Sequence, residues 1–126
     1  MVVNAFVEYK AVYQPPRSTG RRRWFSDGKD MDLIVWYSDS GAVRGFQLCY
    51  DREGSPRAFT WHVEYGLTHN HLSVVRGAGT ANASTVLSDR ATGPVAELNA
   101  HFLERAVSLE KDIARLVCEK LGEYAQ

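Results

Sequence analysis

Three of the four histidines of this chain lie close together in the stretch TWHVEYGLTHNHLSVV, residues 60–75. The alternation of apolar and polar residues in AFTWHVEY predicts a β-strand, and LTHNHLSVV predicts a second one. If Tyr65–Gly66 is the turn of this hairpin, His62 faces His69, and His71 lies on the same face two residues further along. This register would bring three imidazoles onto one face of a sheet.

Imidazoles gathered in this way can bind a divalent metal ion. Opposed Cβ atoms of a sheet are about 5 Å apart, so neighbouring imidazoles can share one ion at ~2.1 Å per bond. We therefore predict a candidate site for zinc or another divalent metal at His62, His69 and His71, with Glu64 beside it as an acid or base. The alternative is a polar, partly exposed sheet face that carries titratable residues, and no cofactor is then expected.

The same face can also be the floor of a small-molecule site. If the two predicted hairpins are neighbours in phase, six residues share one side of the sheet: Ile34, Trp36, Gln47, Cys49, Thr60 and His62. An aromatic ring with a few polar groups is typical of a ligand pocket. The candidate ligand-binding residues are Trp36, Gln47, Thr60, His62 and Glu64. The alternative is that Ile34 and Trp36 belong to the core or to a dimer interface, because large apolar residues are usually buried.

The segment RRRWFSDGKDMD combines Arg21–Arg23 with Trp24 and Phe25. Basic and aromatic side chains together are used to bind single-stranded nucleic acid. However, the 15 basic and 15 acidic residues of the chain cancel, and no RNP-like motif is present, so we do not expect nucleic acid as a partner. The arginines can instead pair with an acidic helix surface. The aspartates of DGKDMD lack the spacing of a calcium loop and predict a turn.

No catalytic constellation is recognisable in the sequence. Cys49 and Cys118 form no CxxC motif, and no serine or cysteine lies in a known nucleophile context. GAGTAN lacks the third glycine and the βαβ setting of a dinucleotide fingerprint. These observations favour a protein that is not an enzyme.

The strongest structural signal is the hairpin DLIVWYSDSGAVRGFQLCYD, whose turn we predict at Ser40–Gly41. One face of this hairpin then pairs Leu33 with Leu48, Val35 with Phe46, and Tyr37 with Arg44. The other face pairs Ile34 with Gln47 and places Trp36 over Gly45. This hairpin would hold the candidate ligand-binding residues Trp36 and Gln47 in position.

The last third of the chain has helical periodicity, with apolar residues at three- and four-residue steps from Val95 to Leu121. We predict an α+β fold in which an antiparallel β-meander of about five strands packs against one long C-terminal amphipathic helix. The chain is predicted to be a single domain, 1–126, with strands at about 4–75, a mobile loop at about 76–93 and the helix at about 94–121. The long helix or an open sheet edge would supply a homodimer interface.

The run RRRWFSDGKDMDLIVWYSDSGAVRGFQLCYD, followed by AFTWH, resembles a group of small uncharacterised bacterial proteins that share this order of motifs over about residues 21–62. The resemblance implies a bacterial cytoplasmic protein and no particular activity. At the level of fold only, a meander followed by a helix also resembles small single-stranded-DNA-binding sheets. The sequence has neither a signal-peptide pattern nor an apolar run of about 18 residues, so we expect a cytoplasmic chain that does not use a membrane.

Overall fold

The computed structural model describes residues 4–10, 14, 20–51, 54–76, 83–90 and 95–124. Seven strands form one antiparallel sheet in which each strand pairs with the next along the chain. They are β1 Val7–Glu8, β2 Arg22–Ser26, β3 Asp32–Tyr37, β4 Val43–Tyr50, β5 Arg57–His62, β6 Gly66–Arg76 and β7 Ala83–Arg90. Two helices follow, α1 Val95–Arg105 and α2 Lys111–Tyr124. The predicted α+β meander is confirmed, although the described residues form seven strands where about five were expected.

The hairpin of β3 and β4 has the register that its sequence predicted. Leu33 pairs with Leu48, Val35 with Phe46, Ile34 with Gln47, and Trp36 with Gly45. The one difference is at its end, where the register shifts and Tyr37 pairs with Val43 instead of Arg44. The turn predicted at Ser40–Gly41 therefore gave the correct pairing for nearly all of this hairpin. Gly41 adopts a positive φ of 90° in the turn.

The hairpin of β5 and β6 has a different register from the predicted one, and the prediction that His62 faces His69 is wrong. The turn comprises three residues, 63–65, and His62 pairs with Gly66. Gly66 has a φ of 77°, which suits the left-handed residue that closes a three-residue turn. His69 consequently pairs with Phe59. Because the shift is an odd number of residues, it moves the side chains of β6 to the opposite face.

The C-terminal segment is not one long helix, which corrects the prediction for about 94–121. A 3₁₀ turn at Ala106–Ser108 and an extended Leu109 separate α1 from α2. A straight helix of that length would extend ~40 Å, whereas a strand of eight residues extends only ~26 Å. The break lets both helices place apolar residues on the sheet, and these are buried: Leu98, Phe102, Ala106, Leu109, Ile113, Val117 and Leu121.

The predicted mobile loop at about 76–93 contains a strand. Residues 83–90 form β7, which pairs with β6, so that part of the prediction is wrong. Residues 77–82 and 91–93 of the predicted loop lie outside the described residues, as do residue 94 of the predicted helix and residues 11–13, 15–19 and 52–53 of the predicted strand region. That the whole chain is a single domain stays a prediction. Within the described ranges, neither helix has the length and apolar character needed to cross a bilayer.

Candidate functional site

The two faces of the sheet differ in what covers them. Side chains on one face, here called the helix face, form the core with α1 and α2, and include Leu33, Phe46 and Phe59. The other face is here called the open face. Gln47 pairs with both Ile34 and Thr60 there, and Gly45 pairs with both Trp36 and His62. The six residues that the sequence analysis assigned to one side of the sheet therefore share the open face.

A groove of about 800 Å³, here called the open-face groove, lies at the end of this face. Its lining includes three of the five predicted ligand-binding residues, Trp36, His62 and Glu64. The side chains of Gln47 and Thr60 lie in the next row of the sheet, where the Gln47 amide donates a hydrogen bond to Thr60 Oγ1 at 3.2 Å. The other lining residues are Tyr37, Ser38, Asp39, Ser40, Arg44 and Tyr65.

Gly45 sets the close packing beside this groove. A Cβ atom there would lie 2.5 Å from the Trp61 carbonyl oxygen and 3.2 Å from Cδ2 of His62. Real Cβ atoms do not approach backbone oxygens so closely, so only glycine fits at this position without a shift of β5. The missing side chain lets the His62 ring lie against the backbone of β4.

The His62 imidazole is held by its own turn. Its ring stacks on Tyr65 with centroids 4.9 Å apart. Its Nδ1 accepts a hydrogen bond from the backbone N–H of Glu64 at 3.1 Å. In the neutral ring the proton must therefore be on Nε2, which acts as a donor. Histidines that bind metals usually donate their second N–H to an acceptor, so this arrangement does not favour a metal at His62.

The charged groups of the open-face groove are unequal in number. Arg44 forms an ion pair with Glu64, and both side chains are well exposed. Asp39 accepts a hydrogen bond from the backbone N–H of Gly20. The described lining thus has two carboxylates, Asp39 and Glu64, against the one guanidinium of Arg44. An exposed ion pair contributes little to stability, so Arg44 and Glu64 can rearrange around a ligand.

The predicted metal site of His62, His69 and His71 is not assembled. His62 lies on the open face, whereas His69 and His71 pair with Phe59 and Arg57 on the helix face. His69 is 3% exposed, with its Nε2 bonded to the hydroxyl of Tyr50. Nowhere in the described ranges do three or more histidine, cysteine, aspartate or glutamate side chains come close enough to hold a metal ion.

The helix face explains where His69 and His71 point. His69 makes edge contacts with the rings of Phe59 and Tyr124, at centroid distances of 5.9 and 5.5 Å. His71 lies nearer the surface, with its Nδ1 3.4 Å from Ser55 Oγ. Both histidines therefore act here as packing and hydrogen-bonding residues of the fold.

The arginine-rich segment is divided between the two faces. Arg23 and Phe25 lie on the helix face, while Arg22 and Trp24 alternate onto the open face. Arg23 forms ion pairs with Glu8 at 2.7 Å and with Glu110 at 2.8 Å. These hydrogen bonds from Arg23 lower the pKa of both glutamates. The predicted pairing of the arginines with an acidic helix surface is not what Arg23 does, because Glu8 lies on β1 and Glu110 directly precedes α2.

A second cavity, of about 330 Å³, lies between α1 and the sheet and was not predicted. We call it the α1 cavity. Its lining includes Arg57 from β5 and Arg105 from α1, which are far apart in sequence. The one local signal was the aspartate turn DGKDMD, which is confirmed. Oδ1 of Asp27 accepts hydrogen bonds from the backbone N–H groups of Lys29, Asp30 and Met31, at 2.8 to 3.0 Å.

Comparison with known proteins assigns no family to the chain. No family model, curated protein or solved structure matches it. What the open-face groove and the α1 cavity bind must therefore be inferred from their own residues.

Proposed function

We propose that this chain is a small-molecule-binding protein, and that the open-face groove takes a planar heteroaromatic ligand without a phosphate, such as a purine nucleoside. The observation that carries the proposal is the placement of Trp36 and His62 on either side of Gly45. Both rings line the groove, as does Tyr65, which stacks on the imidazole.

The spacing of the strands supports a stacked ligand. Neighbouring strands are about 4.8 Å apart, so the Cα atoms of Trp36 and His62 are separated by roughly 10 Å, with a residue that has no side chain between them. The imidazole lies against the backbone of Gly45, so a flat ring can stack on the exposed part of the indole and meet the imidazole at its edge. Aromatic pairs of this kind contribute about 0.5–1.5 kcal/mol beyond the area that they bury.

The polar groups favour a heterocycle and disfavour an anion. His62 Nε2 and Arg44 can donate hydrogen bonds to ring nitrogens, and the carboxylates of Asp39 and Glu64 can accept them from exocyclic amines. Within the lining the carboxylates outnumber the guanidinium, which favours a ligand without a phosphate. The same excess argues against single-stranded nucleic acid, whose binding depends on cationic contacts to the backbone.

Calorimetric titration with adenosine and with AMP tests this proposal. We expect saturable binding of adenosine and binding of AMP at least five-fold weaker. His62→Ala should weaken adenosine binding at least ten-fold, whereas His71→Ala, on the helix face, is the matched control and should leave it unchanged. The absence of saturable heat with adenosine would contradict the proposal. Tighter binding of a short oligonucleotide than of adenosine would also contradict it.

We also propose that the protein forms a homodimer through the outer side of α1. Leu103 of α1 and Val107 of the 3₁₀ turn that follows it are four residues apart and are 49% and 79% exposed. Covering them with a second copy of the chain would remove apolar surface from water. Light scattering on a sizing column should give twice the 14.1 kDa of one chain, and Leu103→Asp should give the monomer. A wild-type monomer would contradict the dimer and leave the groove proposal intact.

We also propose that the protein is located in the bacterial cytoplasm. The resemblance of residues 21–62 to small bacterial proteins supports it. So do Cys49 and Cys118, which are both free thiols, since the cytoplasm keeps thiols reduced. Fractionation of cells that express the protein tests the location, and recovery outside the cytoplasmic fraction would contradict it.

A further inference from the structure

The α1 cavity combines an apolar wall with opposite charges in one partly open space. Met31, Tyr50 and Leu98 supply the wall and are buried. The ionisable lining residues are Asp30, Asp51, Arg57, Glu97, His101 and Arg105. Its volume, about 330 Å³, is at the lower end of the ~300–1,000 Å³ range of ligand pockets, so its ligand must be small.

Arg105 is held rigidly at this cavity. Its Nε donates to Oδ2 of Asp27, and its Nη1 to the carbonyl oxygen of His101, both at 2.7 Å. Burial alone would raise the pKa of Asp27, but the backbone N–H of Met31 and the Arg105 guanidinium hold it at about 2. In the part of the chain that the structure describes, Arg105 Nη2 has no hydrogen-bond partner. A fixed guanidinium edge of this kind is suited to a carboxylate.

The second guanidinium, that of Arg57, is already neutralised. It lies over the Tyr50 ring, 4.9 Å from the centroid, and its Nη2 is 3.2 Å from Oδ2 of Asp51. Asp51 holds this position with a positive φ of 58°, which is uncommon for a residue other than glycine. Arg57 therefore shapes the wall of the cavity and adds no net charge.

Three other side chains of the lining have no partner among the described residues. Across the described residues, the side chains of Asp30, Glu97 and His101 make no hydrogen bond or ion pair. Once the pairs Arg57–Asp51 and Arg105–Asp27 are set aside, two carboxylates remain to attract a cation. The cavity thus offers a donor for an anionic group, acceptors for a cationic group, and an apolar wall.

We propose that the α1 cavity binds an α-amino acid with an apolar side chain. The ligand's carboxylate accepts from Arg105, its ammonium group donates to Asp30 and Glu97, and its side chain packs on Met31, Leu98 and Tyr50. A simple amine would leave the Arg105 edge without an acceptor, and a simple carboxylate would be repelled by Asp30 and Glu97. This site is separate from the open-face groove and does not depend on the function proposed for it.

Calorimetric titration with L-leucine and its two truncated analogues tests this proposal. 3-Methylbutylamine lacks the carboxylate, and 4-methylpentanoate lacks the amine. We expect saturable binding of leucine, with each analogue at least ten-fold weaker. No saturable heat with millimolar leucine would overturn the proposal. It would also be overturned if either analogue bound as tightly as leucine, since one charged group would then be sufficient.

Substitutions of two exposed glutamates make the test specific to the cavity. Glu97→Gln should weaken leucine binding at least five-fold. Glu119→Gln, an exposed residue of α2 outside the cavity lining, is the matched control and should have no effect. His62→Ala should leave leucine binding unchanged while it weakens adenosine binding. Equal effects of the two glutamate substitutions, or loss of leucine binding in His62→Ala, would overturn the assignment.

Discussion

The helix face and the open face of the sheet are built from the same strands but differ in burial and in proposed role. On the helix face, Phe46 and Phe59 are fully buried, and their rings pack 6.2 Å apart. On the open face, Trp36, Gln47 and Thr60 keep part of their surface in solvent. Because successive residues of a strand point to opposite faces, one set can hold the fold together while the other set contacts ligands. Stability and binding should therefore respond to different substitutions along one strand.

Removal of a core ring should have the largest effect. Phe46→Ala would leave a cavity against Phe59 and Trp61, and we expect a loss of about 3–5 kcal/mol in the free energy of unfolding. Chemical denaturation measures this loss. A loss below ~1 kcal/mol in the free energy of unfolding would contradict the view that packing on the helix face stabilises the fold.

Gly45 should be the exception on the open face. Gly45→Ala would force a Cβ onto the Trp61 carbonyl oxygen, and we expect a loss of about 3 kcal/mol, since backbone must move. The denaturation midpoint measures this loss. Gly41→Ala is unsuitable as a control, because Gly41 has a positive φ that alanine rarely adopts. Gly122→Ala is the better control, since a Cβ there meets nothing within 4 Å. If the Gly45→Ala variant were as stable as the wild type, β4 and β5 would be able to move apart at no cost in free energy.

Acid should weaken the contact between Asp27 and Arg105 of α1, and the loss in the free energy of unfolding should be smaller than that expected for Gly45→Ala. The pKa of Asp27 is about 2 in the folded protein and near 3.9 when unfolded, so its contribution of ~2 kcal/mol is fully present above about pH 5 and is lost as pH falls through 2. Unfolding measured between pH 5 and 2 should show this loss. Asp27→Asn should remove that part of the pH dependence, whereas Asp39→Asn should retain it.

Substitution of an open-face ring should have the smallest effect on stability and a large one on binding. Trp36→Ala is expected to cost no more than about 1 kcal/mol, because the indole is only partly buried, while adenosine binding should fall at least ten-fold. Parallel denaturation and calorimetry measure both quantities. If Trp36→Ala lowered the free energy of unfolding as much as Phe46→Ala, the two faces would not differ in their contribution to stability.

Two hairpins show how far the sequence could predict this molecule. At Ser40–Gly41 the turn residues and the flanking pattern agreed, and the pairing of Trp36 with Gly45 followed correctly. At 63–65 the glycine signal was ambiguous, because Gly66 can lie within a two-residue turn or close a three-residue one. Alternation alone did not decide between them, since β6 carries polar residues on both faces.

The helix break and the α1 cavity were beyond prediction for a different reason. The apolar stripe continues through Leu109, so periodicity does not reveal the 3₁₀ turn before it. The contact of Arg105 with Asp27 joins residues 78 positions apart, and neither residue type indicates the other. Long-range ion pairs of this kind follow from the packing of elements and leave no local pattern. The α+β class and the open face, by contrast, follow from local alternation and were predicted.

The three-residue turn that ends at Gly66 has a consequence for how this protein can evolve. Adding or deleting one residue there would exchange the two faces of β6, so that His69 would leave the core and a polar neighbour would enter it. Changes in chain length at this turn should therefore be strongly selected against. Point substitutions at Trp36, Glu64 or Tyr65 leave the pairing untouched. Related proteins should thus diversify their ligands by residue type at a constant hairpin length.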